Sequence, residues 1–215
     1  MNFRPSTAPR RHSLVLSLVL VAGALANLSA CAPLLVGGAV MGGTLMYADR
    51  RTSGTQIEDQ AIEIKAASRI RETLGDRIHI NVTSYNRQVL LTGEALTDAD
   101  KATAEQVAQR VENVRNVVNE LGVMGASSLT SRSSDTILSG KVKASLVDAK
   151  DLLSNAFKVV TERGTVYLLG RVTEREANRA SDVARSVSGV QRVVRVFELI
   201  SEAELADLQS KPAPK

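Results

Sequence analysis

The sequence predicts an α+β protein made of two tandem domains, each with two helices packed on a three-stranded sheet in the order α-β-β-α-β. A repeat carries this prediction: Gln88–Gly93 is matched by Thr165–Gly170 after 77 residues, and Val111–Val118 by Val187–Val194 after 76. Within each repeat, apolar residues follow strand spacing in some segments and helix spacing in others. We therefore expect one folding unit that is present twice.

The N-terminus has the pattern of an export signal. The first thirty residues carry three arginines and no acid, and the uncharged apolar run Leu14–Leu28 precedes the only cysteine, Cys31. The run is shorter than the ~20 apolar residues of a typical spanning helix, although an uncleaved anchor is the alternative. Leu28-Ser-Ala-Cys31 resembles the bacterial lipobox. This implies removal of residues 1–30 and covalent N-acyl and S-diacylglycerol groups on Cys31, with no other cofactor.

Three further segments are predicted to lie outside the domains. Residues 31–55 read as a lipidated, Gly-rich tether, too short in its uncharged part to span a membrane comfortably. Ser-rich residues 127–134 read as a linker, and residues 202–215 as a flexible tail. Ala32, where inner-membrane lipoproteins of enteric bacteria carry Asp, favours the outer membrane.

The first domain is predicted over residues 56–126. A helical apolar pattern and then alternating segments give its elements in order: a helix at Gln56–Leu74, a strand at Ile78–Thr83, a strand ending at Gly93, a helix starting at Thr97 and a strand at Val117–Val123. The residues between the first two strands, 84–87, are turn formers.

The second domain is predicted over residues 135–201 with the same order. Its elements are a helix at Asp135–Ala149, a strand at Lys158–Thr161, a strand ending at Gly170, a helix starting at Thr173 and a strand at Val193–Ile200. Thr173 and Glu176 form a capping box, in which the hydroxyl and the carboxylate accept hydrogen bonds from free N–H groups of the first turn.

The glycine after the second strand, the Thr-capped helix and the sequence Val187-Ser-Gly-Val-Gln-Arg-Val193 resemble the BON domain. The first copy departs from that pattern, with Glu112-Asn113 where the second has Ser188-Gly189. Signal, tether and two such domains together resemble dual-BON outer-membrane lipoproteins. The resemblance implies a lipid-anchored protein that faces the periplasm, binds anionic phospholipid through its second domain, and supports envelope integrity and septal wall remodelling in cell division.

Charge divides unevenly between the two copies. Residues 57–124 carry 8 bases and 11 acids, whereas residues 130–200 carry 12 bases and 8 acids. Only the second copy is therefore expected to be attracted to an anionic membrane surface.

Ile137 is the candidate lipid contact. On a helical wheel that begins at Asp135, it falls about 100° from the core position Leu138, on the side of Lys141. An apolar residue at a helix start beside a lysine suits insertion between lipids while the amine meets a phosphate. Leu138, at the edge of the core stripe, and Arg132, just before the helix, complete the predicted site. Packing of Ile137 on the other domain or the linker is the alternative.

Catalytic and metal chemistry are not expected. His79 is the only histidine after the predicted signal, and no other Cys or His remains to complete a metal site or a catalytic triad. The alternative function is a protein-interaction scaffold that docks a periplasmic partner, such as an amidase activator or the outer-membrane assembly machinery, through the acidic first copy. Nucleic acid is not an expected partner of an exported, lipidated chain.

Overall fold

The computed structural model describes residues 49–210, which include both predicted domains. The predicted signal peptide, Cys31, most of the tether and the last five residues lie outside the described residues.

The first domain begins with a long helix that is capped by a threonine. The hydroxyl of Thr52 accepts a hydrogen bond from the N–H of Thr55 at 3.2 Å, which satisfies a free donor of the first turn. The elements of this domain are α1 (Ser53–Leu74), β1 (Ile78–Tyr85), β2 (Gln88–Ala95), α2 (Asp98–Gln109), β3 (Asn116–Asn119) and β4 (Gly122–Val123).

The second domain repeats this order and adds a C-terminal helix. Its elements are α3 (Leu129–Asp148), β5 (Lys158–Glu162), β6 (Thr165–Val172), α4 (Glu174–Ser186), β7 (Arg192–Leu199) and α5 (Glu202–Ser210). The predicted capping box is present, since the N–H of Thr173 donates to Glu176 at 3.0 Å and the N–H of Glu176 donates back to the Thr173 hydroxyl at 3.4 Å.

Each sheet combines an antiparallel hairpin with a parallel return strand. β1 pairs antiparallel with β2, and β5 with β6. The last strand lies parallel to the central one, β3 and β4 on β2 and β7 on β6, because the intervening helix returns the chain to the same end of the sheet. Helices packed on mixed sheets in both domains confirm the predicted α+β class. The sheet of the first domain has four strands instead of three, and the second domain has a third helix.

Two glycines near the ends of the central strands are required by close backbone contacts. The strands continue to Ala95 and Val172, two residues beyond the ends predicted at Gly93 and Gly170. A Cβ on Gly93 would lie 2.1 Å from the carbonyl oxygen of His79, and Gly93 has φ +114. A Cβ on Gly170 would lie 2.5 Å from the carbonyl oxygen of Ala156. The repeated glycine therefore marks a point where the chain passes too near its neighbour for any side chain.

The helices cover one face of each sheet, and the opposite faces share a third core. In β2, Val89 and Leu91 pack under the helices, whereas Leu90 between them belongs to a cluster with residues of the second domain. The buried members of this shared cluster are Tyr85, Leu90, Tyr167, Leu169 and Val196. Both domains accordingly belong to one compact unit.

Two predicted irregular segments are helical. α3 begins at Leu129, inside the predicted linker 127–134, because Ser128 acts as the helix cap and accepts from the N–H of Ser131 at 3.2 Å. The first nine residues of the predicted tail, 202–210, form α5, which Leu205 anchors with 6 % exposure. In the first domain, by contrast, the predicted last strand is divided into the short β3 and β4.

Candidate functional site

The side chain of Ile137 is exposed to solvent, as lipid contact requires. Its exposed fraction is 61 %. It does not open a helix, however, because α3 starts at Leu129 and Ile137 lies about two turns inside it. Ile137 was expected at the start of a helix, but it lies on the flank of a long one.

Leu138 belongs to the core, contrary to the expectation that it joins the lipid contact. Only 7 % of it is exposed. The loop at Gly189 closes over it, since a Cβ at that position would lie 3.4 Å from Cδ1 of Leu138.

Arg132 does not extend the surface around Ile137. Its guanidinium is half-buried and donates to the hydroxyl of Ser127 at 3.2 Å and to the Ser127 carbonyl at 3.1 Å. On the helix it lies about 140° from Ile137, so that it secures the entry to α3 instead.

The exposed face of α3 carries an apolar stripe with lysines along both edges. We call it the outer stripe; its residues, all exposed, are Leu129, Ile137, Gly140, Ala144 and Val147. The lysines, also exposed, are Lys141 on one edge and Lys143 on the other, and Lys150 follows the end of the helix. An apolar strip with basic borders is the pattern of helices that lie at a membrane interface.

The sequence contained a signal for the missed members of this stripe. Leu129 and Val147 are 78 % and 64 % exposed and lie 18 residues apart, which is five helical turns. A helical wheel that starts at the Ser128 cap places them on one side of α3, whereas a wheel that starts at Asp135 omits Leu129.

A groove of 620 Å³ borders the outer stripe on the side of Lys141. Asp135 of α3 fixes one wall of this groove, because its carboxylate accepts the N–H groups of Arg163 and Gly164 in the β5–β6 turn at 2.8 and 2.9 Å. Further lining residues are Ser134, Ile137, Lys141, Ser188 and Gln191.

The first domain has the equivalent groove, with a volume of 540 Å³. Here Asp59 of α1 accepts the N–H groups of Asn86 and Arg87 at 2.8 and 2.7 Å, as Asp135 does 76 residues later. The same offset places Lys65 at the position of Lys141 and Ala61 at that of Ile137.

The two grooves differ in how their cations are paired. In the first domain, Lys65 lies 3.1 Å from Glu112, and Arg87 lies 2.6 Å from Glu58. In the second domain, Arg163 turns away to Glu94, and Lys141 has no carboxylate oxygen within 4.0 Å among residues 49–210. Only the second groove therefore presents a cation to an external ligand.

Some of the charged side chains that make the first domain acidic and the second basic form ion pairs with each other. Three ion pairs join bases of the second domain to acids of the first, each at 2.7 Å: Lys158–Glu63, Arg163–Glu94 and Arg192–Glu120. The basic excess of the second domain consequently overstates the charge that is free of ion pairs. Among residues 49–210, Lys141, Lys143 and Lys150 form no ion pair.

His79 is occupied by a structural contact. Its Nδ1 lies 2.8 Å from Glu94. Burial alone raises the pKa of Glu94, but hydrogen bonds from Arg163 and His79 outweigh it and hold that pKa below the ordinary value. Within residues 49–210, no three His, Cys, Asp or Glu side chains are grouped as metal ligands.

Comparison with known proteins identifies the family. The BON domain model matches residues 59–125 and 134–200. The chain is 35 % identical over 185 residues to the outer membrane lipoprotein DolP of Haemophilus influenzae, covering 85 % of this chain and 95 % of the relative. It is 31 % identical over 154 residues to the 21 kDa hemolysin of Actinobacillus pleuropneumoniae, covering 71 % of this chain and 79 % of that protein.

A further relative is the osmotically-inducible protein Y of Escherichia coli, 31 % identical over 145 residues, with 65 % of this chain and 72 % of the relative covered. The chain belongs to the BON domain family. It carries two BON domains in the DolP-type arrangement, as the sequence predicted. Among the helices of residues 49–210, none is both long and apolar enough to cross a membrane.

Proposed function

We propose that this chain is a non-enzymatic outer-membrane lipoprotein, anchored through Cys31 and facing the periplasm, whose second BON domain binds anionic phospholipid. Binding to anionic phospholipid places the protein at the membrane regions where it supports envelope integrity and septal wall remodelling. The observation that carries the proposal is the outer stripe of α3 with its border of lysines.

The composition of this face suits an anionic bilayer. Asp148 is the one acid exposed on α3, since the other carboxylate of the helix, Asp135, is buried and bound to backbone N–H groups. Apolar side chains at the centre of the stripe would enter the acyl boundary while the flanking amines reach the phosphates.

The size of the effect is that of a weak, reversible contact. Burying a side chain such as Ile137 or Val147 contributes about 1.5–3 kcal/mol, and each lysine near an anionic surface about 1 kcal/mol. Such a contact needs help from a tether, because the anchor raises the effective concentration of the domain at the membrane. The 17 residues from Ala32 to Ala48 reach at most ~60 Å.

The relatives support the location. The Haemophilus influenzae relative is named an outer membrane lipoprotein and is matched over 95 % of its length. The lipobox-like sequence ending at Cys31 and the Ala32 that follows it agree with that location.

Vesicle binding by the non-lipidated chain, residues 32–215, tests the proposal. We expect this chain to co-sediment with phosphatidylglycerol vesicles but not with phosphatidylcholine vesicles, and to be released by salt, which screens the lysines. Ile137→Asp should weaken binding at least about tenfold, because the inserted apolar side chain is replaced by a repelled carboxylate.

Ile64→Asp is the matched control. Ile64 is 70 % exposed on α1, the equivalent helix of the first domain, and the substitution adds the same charge. It should leave vesicle binding unchanged. Failure of the parent chain to bind anionic vesicles at low salt would overturn the proposal.

The second candidate function is a protein scaffold, for which α1 provides the observation. Ile57 and Ile64 are 69 % and 70 % exposed and lie about two helical turns apart on the acidic domain. A photo-crosslinker placed at Ile64 would favour the scaffold if it captured one defined periplasmic protein, and if that capture persisted in Ile137→Asp.

A further inference from the structure

The groove of the first domain contains an anion that the chain itself supplies. The carboxylate of Glu112 lies 3.1 Å from Nζ of Lys65 through one oxygen and 3.4 Å from Arg69 through the other. The hydrogen bond from Lys65 lowers the pKa of Glu112, which keeps this carboxylate ionised. The contact is exposed, so its role in stability is small.

The backbone around this position is repeated in the second domain. Asn113, next to Glu112, has φ +68, and Gly189 at the equivalent place has φ +102, so both loops make the same left-handed turn. The aspartate anchors Asp59 and Asp135 also correspond. The two grooves are thus comparable residue by residue.

The second groove lacks this anion and also one of the two cations that hold it, since Ser145 stands where the first domain has Arg69. Lys141 retains the position of Lys65, whereas Ser188 replaces Glu112. The opposing wall of the groove also loses a carboxylate, since Ser134 stands where the first domain has Glu58. Both substitutions remove an acid and leave a hydroxyl, which is a hydrogen-bond donor for an anionic oxygen.

We infer that this groove is an anion subsite in both domains, occupied in the first by the Glu112 carboxylate and open in the second, where a phosphate group binds between Lys141 and Ser188. The inference deepens the proposed function and rests on it for the source of the phosphate. Ile137 borders the same groove, so the ligand that fits is amphiphilic: a phosphodiester against Lys141 with acyl chains along the outer stripe.

Asp135 does not prevent this, although it lines the groove. Both of its carboxylate oxygens accept backbone N–H groups, at 2.8 and 2.9 Å. Arg163 also lines the groove, but its guanidinium is paired with Glu94, with Nε of Arg163 2.7 Å from the Glu94 carboxylate. The ligand therefore meets Lys141 and the hydroxyls of the groove walls.

A pair of substitutions at one position tests the subsite. Ser188→Glu recreates the carboxylate of the first domain beside Lys141, and Ser188→Gln adds a side chain of the same shape without the charge. We expect Ser188→Glu to weaken binding of the non-lipidated chain to phosphatidylglycerol vesicles about fivefold or more, and Ser188→Gln to bind several-fold more tightly than Ser188→Glu.

Titration with inorganic phosphate or glycerol 3-phosphate tests the subsite without a membrane, and so separates binding of a free phosphate group from binding of a lipid headgroup. In amide NMR spectra, either small anion should shift the signals of Ser188 and Gly189 in the parent chain but not in Ser188→Glu. Glu112→Gln, which releases Lys65, should create the same response at Asn113 in the first domain.

The outcomes for the subsite and for the proposed function are distinguishable. Vesicle binding that is equal in Ser188→Glu and Ser188→Gln overturns the subsite and leaves the outer stripe in place. If the parent chain ignores the vesicles, the proposed function fails, and the phosphate titration then decides the subsite alone. An unchanged Ser188 signal at high phosphate overturns it.

Discussion

The guanidinium of Arg50 holds the carboxylate of Glu176 through two hydrogen bonds, at 2.8 and 2.7 Å, across 126 residues of chain. Both side chains are almost completely buried. Arg50 also donates to the carbonyl oxygen of Arg171 at 2.7 Å. The end of the predicted tether is therefore fixed to the start of α4 in the second domain.

The next residue makes the matching contact with the first domain. Arg51 lies 2.8 Å from Asp59 of α1, and its guanidinium stacks 4.0 Å from the ring centre of Tyr85. Because adjacent arginines bind different domains, residues 50 and 51 hold both domains together.

Arg50→Ala should destabilise the protein by about 3 kcal/mol, because it leaves Glu176 buried without its cation. Urea unfolding at neutral pH measures this. Glu176→Gln in the Arg50→Ala background should recover part of the loss, and additive effects of the two substitutions would contradict a coupled pair.

The same pair predicts a pH dependence. Burial raises the pKa of Glu176, but hydrogen bonds from Arg50 and the Thr173 N–H outweigh it, so this pKa lies below its ordinary value. The folded protein thus releases this proton more easily than the unfolded chain. The stabilisation is present above the ordinary pKa and is lost as pH falls through the lowered one, so the Arg50→Ala defect should shrink in acid.

Glu162→Gln should stabilise the protein at neutral pH. Burial raises the pKa of Glu162, as do the charges of Glu94 and Asp135, while Asn81, which donates to it at 3.0 Å, and His79 oppose the rise. A raised pKa means that ionisation of Glu162 costs stability as pH rises through the ordinary value towards the raised one.

Glutamine keeps an acceptor for Asn81 and removes the charge. The gain in unfolding free energy should be largest at neutral pH and decline below the ordinary glutamate pKa, where Glu162 is protonated in both states. A gain that is constant from pH 4 to pH 7 would show that the charge is not its cause.

Truncation of two neighbouring residues on α3 should affect stability and vesicle binding differently. Leu138→Ala should cost about 2–5 kcal/mol in unfolding free energy, because it removes a core side chain. Ile137→Ala should stay within about 0.5 kcal/mol, since its side chain is exposed, but should weaken vesicle binding. Equal stability losses would contradict the division of α3 into a core face and an outer stripe.

The elements that sequence predicted well are determined by local chemistry. The Thr173–Glu176 capping box acts within a few residues. Gly93 and Gly170, which lie two residues before the ends of β2 and β6, each act at one close contact. Their patterns therefore appeared twice in the sequence and located the helices and strands.

The start of α3 was misjudged because its polar residues allow two interpretations. Ser128 caps the helix, and the hydroxyls of Ser134 and Thr136 each donate to the carbonyl four residues earlier, at 3.0 Å. A Ser-rich stretch is equally typical of a linker. The predicted start at Asp135 is six residues too late. It placed Ile137 at the beginning of α3 instead of on its flank, and it left Leu129 out of the predicted site.

The contacts between the domains were beyond sequence reasoning. Net charge identified the second domain as the basic one, but bases such as Lys158 and Arg192 serve acids of the first domain. Such pairs join residues 95 and 72 positions apart, and no spacing rule in the sequence predicts them.

The cluster shared by Leu90, Leu169 and their neighbours means that each copy covers an apolar sheet face of the other. If proteolysis or a gene deletion removed either copy, the apolar face of the remaining sheet would be exposed to water. Exposed apolar surfaces of this kind promote aggregation. We therefore expect either copy alone to be less stable and more prone to aggregation than the whole chain.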